Sequence, residues 1–280
     1  MRIAHLIFVH KEPNLVHRML EKLQSNNADI YIHVEKKSDI DEFSRCFKIQ
    51  NVIIIKKRIS VKWGTYSMVR AYLSSIEEIL NTNQSYSHIN ILSGQDYPLK
   101  NIHYFEQYLN ENIGKSFIEA RKIPDEWEDA AERFTKYDFG AWRIPLRYSI
   151  QKIANKILPN RKIPKGLMPY GKSSWFTITP TCAEYVLNFV KSNPSVCRFF
   201  KYTWASDELI FQTILYNSDL KEQLINDNLR YIVFENKLPN PKLLDSNNLN
   251  ELISSNKFFA RKFSEYKDIS ILEALDEIIK

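Results

Sequence analysis

The run Ile3-Ala-His-Leu-Ile-Phe-Val9 is followed by an amphipathic stretch over residues 13–24 and then by Ile30-Tyr-Ile-His-Val34. The two short apolar runs are typical of buried strands, and the stretch between them carries Leu and Met at helical spacing. A strand, a helix and a second strand in this order predict a parallel βαβ unit. The same alternation continues with a strand over residues 52–55, the segment Trp63-Gly-Thr-Tyr66 leading into a helix that runs to about Leu80, and a strand over residues 88–92.

This alternation predicts an α/β protein with a mixed, mainly parallel sheet flanked by helices. Ligands of such sheets bind where the strands end, at their carboxyl edge. That edge is expected to carry Glu35, the turn at Trp63, and Asp96 in the turn Ser93-Gly-Gln-Asp-Tyr-Pro98. No linker divides the 280 residues, so we predict one domain over 1–280, with a nucleotide-binding half (1–120) and an acceptor and catalytic half (121–280).

The composition is that of a water-soluble globular chain, with 44% hydrophobic and 26% charged residues. A net charge of +6 favours polyanionic partners, namely nucleotide phosphates, an anionic membrane surface or nucleic acid. The charge is scattered, so nucleic acid is not expected. Three cysteines without paired spacing (Cys46, Cys182 and Cys197) indicate reduced thiols in the cytoplasm or at the inner face of the cell membrane.

Membrane contact, if any, is expected to be peripheral, because the apolar run at residues 1–9 is too short and interrupted for an anchor. The candidate for such contact is the segment 143–165, which is rich in Arg, Lys and aromatic residues. A basic amphipathic segment of this kind lies on anionic membranes in some proteins and is a solvated helix face in others. The sequence leaves both interpretations open.

A candidate catalytic carboxylate lies in Trp204-Ala-Ser-Asp-Glu208, which precedes an apolar helical run over residues 209–215. Ser206 or Asp207 is expected to cap that helix, because either side chain accepts from an N–H group of the first turn. Glu208 would then lie in the first turn, where the helix dipole favours a carboxylate. Such a group can act as general base on a sugar hydroxyl, although an Asp-Glu pair also begins many helices that have no catalytic role.

Several classes of site are excluded by missing motifs. The chain contains no G-x-x-x-x-G-K-[ST], no G-x-G-x-x-G and no G-x-S-x-G. Asp39-Ile-Asp41 matches the D-x-D string of metal–diphosphate sites, but it follows Ser38 at an expected helix start, where acidic residues are common. A dedicated Mg²⁺ site needs carboxylates that converge at a strand end, so we expect no metal and no other cofactor. If the donor is a sugar nucleotide, fixed cations then have to neutralise the leaving diphosphate, and the last third of the chain offers Arg230 and the pair Arg261-Lys262.

Seven segments in order resemble the core-2/I-branching family of glycosyltransferases, which includes β-1,6-N-acetylglucosaminyltransferases and peptide O-xylosyltransferases. They are Ile32-His-Val-Glu-Lys-Lys37, Trp63-Gly-Thr-Tyr66, Ile91-Leu-Ser-Gly-Gln-Asp-Tyr-Pro-Leu-Lys100, Ser173-Ser-Trp-Phe176, Ser206-Asp-Glu208, Leu229-Arg-Tyr231 and Phe259-Ala-Arg-Lys-Phe263. The chain departs from animal members in having Glu35 where they tend to have Asp, and in lacking their disulfide cysteines and membrane stem. It is similar to the shorter bacterial members.

The resemblance implies a GT-A-like (Rossmann-like) fold and an inverting, metal-independent transfer from a UDP-sugar. Glu208 falls on the family's general base, and Arg230 and Lys262 fall on the basic pair that holds the diphosphate. Glu35 falls beside the uridine, and Trp63 falls on an aromatic position of the same pocket.

From their places in the chain, Ser173 and Trp175, with Arg133, are candidates for the acceptor side. We expect transfer of a sugar, first of all N-acetylglucosamine, to a hydroxyl of a glycan or lipid-linked glycan in surface polysaccharide synthesis. The alternatives are a UDP-xylose-dependent xylosyltransferase, a UDP-sugar hydrolase, and a basic nucleotide- or RNA-binding module without catalysis.

Overall fold

A computed structural model describes residues 1–235 and 240–280 of the chain. The strands are β1 (Ile3–Val9), β2 (Ala28–Val34), β3 (Val52–Ile54), β4 (His88–Ser93), β5 (Asp96–Pro98), β6 (Ser116–Phe117), β7 (Ala120–Lys122), β8 (Tyr170–Lys172), β9 (Thr177–Ile178), β10 (Leu224–Ile225), β11 (Arg230–Ile232) and β12 (Phe259–Arg261). The helices are α1 (Pro13–Lys22), α2 (Ser67–Leu80), α3 (Ile102–Glu111), α4 (Ala131–Thr135), α5 (Arg147–Ile157), α6 (Pro180–Ser192), α7 (Pro194–Lys201), α8 (Ile210–Tyr216), α9 (Leu249–Ser254) and α10 (Ser270–Ile278).

The chain forms two compact units, neither of which is a continuous half. The first unit comprises residues 1–58, 82–114 and 228–280, and the second comprises residues 59–81 and 115–227. The predicted single domain stays a prediction, and the units do not follow the expected division at residue 120. The difference arises because β11 and β12, near the end of the chain, belong to the same small sheet as β5.

The first unit is built on the parallel strands β4, β1, β2 and β3, in that order. Every residue of β1 and β2 is buried, as expected for parallel strands that are covered on both faces. Helix α1 begins with Pro13 at its first position and buries the apolar face Leu15, Val16, Met19 and Leu20. The βαβ unit predicted from residues 3–34 is confirmed.

A second, three-stranded sheet of the first unit corrects a prediction. Residues 93–98 were expected to be a turn, but Asp96–Pro98 form β5, which pairs antiparallel with β12. Strand β12 also pairs in parallel with β11. A partner 160 or more positions along the chain cannot be seen in a local pattern, so Gly94 and Pro98 suggested a turn alone.

The second unit contains the short strands β6 to β10. Most of its helices come from residues 115–227. Strand β6 pairs in parallel with β10 and antiparallel with β9, and β7 pairs antiparallel with β8. Helix α2 contributes Tyr72, whose ring packs edge-on against Trp175, Phe176 and Phe211. With the first unit, this confirms an α/β class with mixed, mainly parallel strands flanked by helices.

Two predicted elements of the second unit differ from the structure. Residues 172–178 were expected to form one strand, but β8 ends at Lys172 and β9 begins at Thr177. Neither Ser206 nor Asp207 caps α8: Ser206–Glu208 form a separate 3₁₀ turn, and α8 begins at Ile210 without a side-chain cap. Glu208 therefore does not owe its place to the dipole of α8.

Among the described residues, no helix is both long enough and apolar enough to cross a bilayer.

Arg161 is a buried structural residue, although its sequence neighbours made it appear part of a basic surface. Its guanidinium donates to the carbonyl oxygens of Lys136 and Tyr202 at 2.9 and 2.5 Å, and to the carbonyl oxygen of Phe199. The same group donates to Thr203 Oγ1 at 3.0 Å. Arg161 therefore ties the residues after α4 to the end of α7, just upstream of Glu208.

We expect Arg161→Met to lower the free energy of unfolding by about 2–4 kcal/mol, because buried carbonyl oxygens would lose charged donors. Lys162→Met is the matched control: this neighbouring side chain is exposed, and its loss should change stability by less than ~0.5 kcal/mol. Urea unfolding followed by circular dichroism measures both. Equal midpoints for the two variants would contradict the assigned role.

Candidate active site

The backbone around Glu208 is held by two close approaches. Ala205, just before the 3₁₀ turn, has a left-handed conformation (φ 49°), and its N–H donates to Gly64 O at 2.9 Å. A Cβ on Gly64 would lie 2.8 Å from Trp204 Nε1. A Cβ on Gly171 would lie 2.7 Å from the carbonyl oxygen of Glu208. Both glycines are therefore needed for the backbone to pack this tightly.

The Glu208 carboxylate is bound by an arginine that stacks on two indole rings. Arg133 Nη1 lies 2.6 Å from Glu208 Oε2, and about a third of the Glu208 side chain remains exposed. The Arg133 guanidinium lies 4.7 Å from the ring centroid of Trp127 and 4.5 Å from that of Trp204. Two cation–π contacts restrict the movement of the guanidinium and help to keep it at the carboxylate.

Asp207, the sequence neighbour of Glu208, binds a different partner. Its carboxylate accepts a hydrogen bond of 2.7 Å from Ser174 Oγ. Burial raises the pKa of Asp207 above its ordinary value. Burial, and then the neighbouring Asp207, also raise the pKa of Glu208, while Arg133 opposes this effect. A carboxylate with a raised pKa is a better proton acceptor once it is ionised, as a general base must be.

Two further groups contact the indole rings beside Arg133. Lys172 Nζ lies 4.9 Å from the Trp127 ring centroid, and burial lowers the pKa of this lysine while Glu208 partly restores it. Trp63 packs edge-on against Trp204 with 5.6 Å between ring centroids, and its side chain is largely exposed. The second unit therefore presents a carboxylate, two cations and three indoles in one cluster, which we call the Glu208 cluster.

The predicted acceptor residues have local partners. Ser173 Oγ accepts from Trp175 N–H at 3.2 Å, and Ser173 O accepts from Gln212 Nε2 at 2.5 Å. Trp175 packs against Tyr72. Ser174, which lies between them and was not a predicted site residue, donates to Asp207. Nothing in the local pattern separates these two adjacent serines.

In the first unit, the carboxyl ends of β1 and β2 bring together charged residues that include two predicted ones. Glu35, just after β2, accepts from Lys37 N–H at 2.7 Å. Burial lowers the pKa of His10, and the neighbouring Lys11 and Lys262 lower it further. Glu35 acts in the opposite direction and raises this pKa. Burial, then Arg261 and Lys11, lower the pKa of Lys262. The electrostatic influence of these groups on one another shows that they share one region.

Lys262 also lines a pocket of about 470 Å³ in the first unit. The other polar and charged residues around it are Lys11, Gln95, Glu235, Asn240, Lys242, Asp245, Ser264 and Lys267. Its volume falls in the range of small-molecule sites, and four lysines against the two carboxylates of Glu235 and Asp245 leave the lining with a net positive charge. An anion that carries two phosphates is a ligand of matching charge.

Glu12 supports this pocket and was missed by sequence analysis. It is buried at the start of α1 with φ 54°, and its carboxylate accepts from Gln95 Nε2 at 3.3 Å and from Glu265 N–H at 3.1 Å. Gln95 Nε2 also donates to Phe263 O at 3.1 Å. These bonds hold the chain that directly follows Lys262. An acid before a proline is the one local signal, and it does not reveal such distant partners.

Arg230 is buried within the first unit, with 2% of its surface exposed. Its guanidinium donates to Ile91 O at 2.9 Å and also to Asn90 Oδ1 and Asn228 O. These protein oxygens occupy donors that a phosphate would need. The predicted diphosphate contact of Arg230 stays a prediction, and this placement gives it no support.

Asp96 likewise has partners within the protein. It is fully buried and accepts from Ser93 N–H and Ser93 Oγ at 2.9 and 2.8 Å. Arg261 Nη1 lies 3.3 Å from its carboxylate, across the β5–β12 pair. The predicted nucleotide contact of Asp96 stays a prediction; the bonds described here serve to hold β5 against β12.

The D-x-D string has a local role in the structure. Asp39 Oδ1 accepts from Asp41 N–H at 3.0 Å, which forms a turn ahead of the 3₁₀ segment Asp41–Phe43. Within residues 1–235 and 240–280, no three His, Cys, Asp or Glu side chains are grouped so as to hold a metal ion.

A sequence model described as "Core-2/I-Branching enzyme" matches residues 3–256, which is most of the chain. The chain belongs to this family. The resemblance to the core-2/I-branching family, which rested on seven segments of the sequence, is confirmed.

Two relatives with curated names are similar to this chain over nearly its whole length. Xylosyltransferase 2 of Rattus norvegicus is 29% identical over 309 residues, which cover 99% of this chain and 33% of the relative. Xylosyltransferase 1 of the same organism is 25% identical, with 100% and 35% covered. The chain thus spans about a third of the length of the curated relatives that it matches. Among solved structures, the galactosyltransferase LgtC is 7% identical, with 98% of this chain and 94% of that chain covered and a TM-score of 0.47.

We expect Arg133→Met to raise the pKa of Glu208 further above its ordinary value, because the nearby cation that favours the ionised carboxylate is removed. Carboxyl ¹³C NMR titration measures this pKa, with the signal assigned by its loss in Glu208→Gln. Lys136→Met is the control, since Lys136 pairs with Glu132 instead. An unchanged Glu208 pKa in Arg133→Met would show that the ion pair does not persist in solution.

Proposed function

We propose that this chain is an inverting, metal-independent glycosyltransferase that moves a sugar from a UDP-sugar to a hydroxyl of a glycan acceptor. The observation that carries the proposal is the Glu208–Arg133 pair. It combines a partly exposed carboxylate of raised pKa with a cation 2.6 Å away that contacts two indole rings. Membership of the Core-2/I-Branching enzyme family supports the same assignment.

In the proposed reaction, Glu208 removes the proton of the acceptor hydroxyl as its oxygen attacks the anomeric carbon of the donor. The bond from that carbon to the UDP oxygen breaks on the opposite face, so the configuration inverts. The departing UDP carries away the electron pair and a growing negative charge. The largely exposed indole of Trp63 suits the apolar face of a sugar ring.

The charge on the leaving diphosphate is assigned to Lys262, with Lys11 as a second cation. Both line the positive pocket of the first unit, and each lysine provides a point charge that does not require a metal ion. The lowered pKa of Lys262 reflects burial and neighbouring cations, an environment in which an added anion is favourable.

N-acetylglucosamine remains the first proposed sugar, with xylose as the alternative. The relatives named xylosyltransferases favour testing UDP-xylose in the same panel. The proposed acceptor is a glycan or lipid-linked glycan of surface polysaccharide synthesis. The experiment is a panel of UDP-sugars with candidate glycan acceptors in excess EDTA, scored by UDP release and by mass of the product. Release of UDP without a glycosylated product would identify a hydrolase instead.

We expect Glu208→Gln to lower the rate of transfer by ~10²–10⁴-fold while the UDP-sugar still binds, because the amide cannot accept the hydroxyl proton. In the wild type, the rate should rise with pH as Glu208 ionises, at a pH above the ordinary range for Glu, since its pKa is raised. Glu132→Gln is the control, because the exposed Glu132 pairs with Lys136. A mutant that keeps the wild-type rate would refute the base assignment, and activity that requires Mg²⁺ or Mn²⁺ would refute metal independence.

We expect Lys262→Met to weaken UDP binding by ~10–100-fold, the effect of losing one charge-assisted bond to a phosphate. Isothermal titration calorimetry in EDTA measures it. Lys100→Met serves as the control, because Lys100 lies over the ring of Phe258 and does not line the pocket. Equal affinities of the two variants would remove Lys262 from the donor site.

A further inference from the structure

Helix α5 packs on the second unit through its polar face. Asn155 Oδ1 accepts from Tyr137 N–H at 2.7 Å, and Asn155 Nδ2 donates to Tyr137 O at 2.8 Å. One turn earlier, Gln151 Oε1 accepts from Phe139 N–H at 2.7 Å. Two amide side chains, four positions apart, thus bind the helix to the backbone of residues 137–139. This reverses the usual arrangement, in which a surface helix packs on its protein through apolar side chains.

The apolar face of the helix points outward as a consequence. Leu146, Ile150, Ile153 and Ile157 follow one another at spacings of four, three and four, which places them on a single stripe. Their exposed fractions are 76% for Leu146, 58% for Ile153 and 75% for Ile157. None of the eleven residues of α5, all of which the structure describes, is buried. Four large aliphatic side chains in one row are an exposed apolar patch that requires a partner.

The backbone at the start of α5 is also strained. Leu146 precedes the first turn with φ 58°, a left-handed conformation that is unfavourable for a branched, bulky residue. Its side chain is the most exposed of the stripe. A strained backbone that presents a leucine to the outside is more readily explained by a function of that leucine than by folding of the unit.

The charge around the stripe identifies the partner. Residues 143–165 contain seven Lys or Arg and no Asp or Glu. Arg161 is buried, but Arg143, Lys152, Lys156, Lys162 and Lys165 are exposed. Lys152 and Lys156 are one turn apart along one flank of the stripe, where their long stems can lie beside the isoleucines and their ammonium groups can reach outward.

We propose that α5 is an interfacial helix that binds an anionic lipid bilayer, with the stripe in the acyl-chain boundary and the lysines on the headgroups. An apolar face flanked by basic residues is the chemistry of such helices. At 1.5 Å per residue α5 is about 16 Å long, too short to cross a bilayer but long enough to lie in its surface. A second copy of the chain is disfavoured on this face, because two basic segments would meet.

The test is co-sedimentation of the whole chain with vesicles of phosphatidylglycerol and phosphatidylcholine, compared with phosphatidylcholine alone. We expect binding to the anionic vesicles only, reduced by added salt. The double variant Ile153→Gln/Ile157→Gln should weaken partitioning by at least tenfold, since both side chains lose apolar burial. Lys152→Gln and Lys156→Gln should each weaken it by about fivefold. Circular dichroism should show the fold intact, because neither isoleucine is buried.

Ile113→Gln is the matched control, since Ile113 is an exposed isoleucine of the first unit and should leave partitioning unchanged. Failure of the wild type to bind anionic vesicles would overturn the proposal, as would unchanged binding of the isoleucine double variant. Light scattering without lipid distinguishes the other occupant: a wild-type dimer that the double variant abolishes would mean that a second copy covers the stripe. No outcome depends on catalytic activity, so this test is independent of Glu208.

Discussion

The ion pair between Arg133 and Glu208 is the interaction on which the Glu208 cluster depends. A carboxylate with reduced access to water is stable as an anion only if a fixed cation compensates for its lost hydration. Arg133 provides that cation, and the rings of Trp127 and Trp204 restrict its movement. Arg161 in turn binds the backbone that leads from α4 and from α7 into the cluster. The two indole rings, Arg161 and the segments that follow α4 and α7 therefore help to hold this one ion pair in place.

The two charged regions differ in the kind of chemistry they favour. The Glu208 cluster lowers the access of water to a carboxylate and surrounds it with aromatic faces, which suits an uncharged polyhydroxyl molecule. The pocket beside Lys262 is lined by four lysines, which suits an anion. A transferase that uses nucleotide sugars has to bind both kinds of ligand, an uncharged polyhydroxyl molecule and an anion.

The sequence was informative where a structure depends on neighbours in the chain. The periodicities of β1, α1, β2 and α2 predicted those elements, because burial on one or both faces leaves a local pattern. It was uninformative where a side chain finds its partner far away. Arg133 and Glu208 are 75 positions apart, and Arg161 looked like any other base of a solvated segment. The same limit explains why Ser173 was preferred to Ser174, and why Ser206 and Asp207 were taken for caps.

The order in which the segments of the first unit leave the ribosome has a consequence for biosynthesis. Residues 1–58 emerge first, yet that unit is completed only by residues 228–280, whereas the second unit has all of its residues once position 227 is made. The second unit can therefore fold before the first unit is complete. During that time Asp96 lacks its ion-pair partner Arg261, and the edge of β5 lacks its pairing with β12. A nascent chain in this state exposes an unpaired strand and apolar surface, which are the features that chaperones bind.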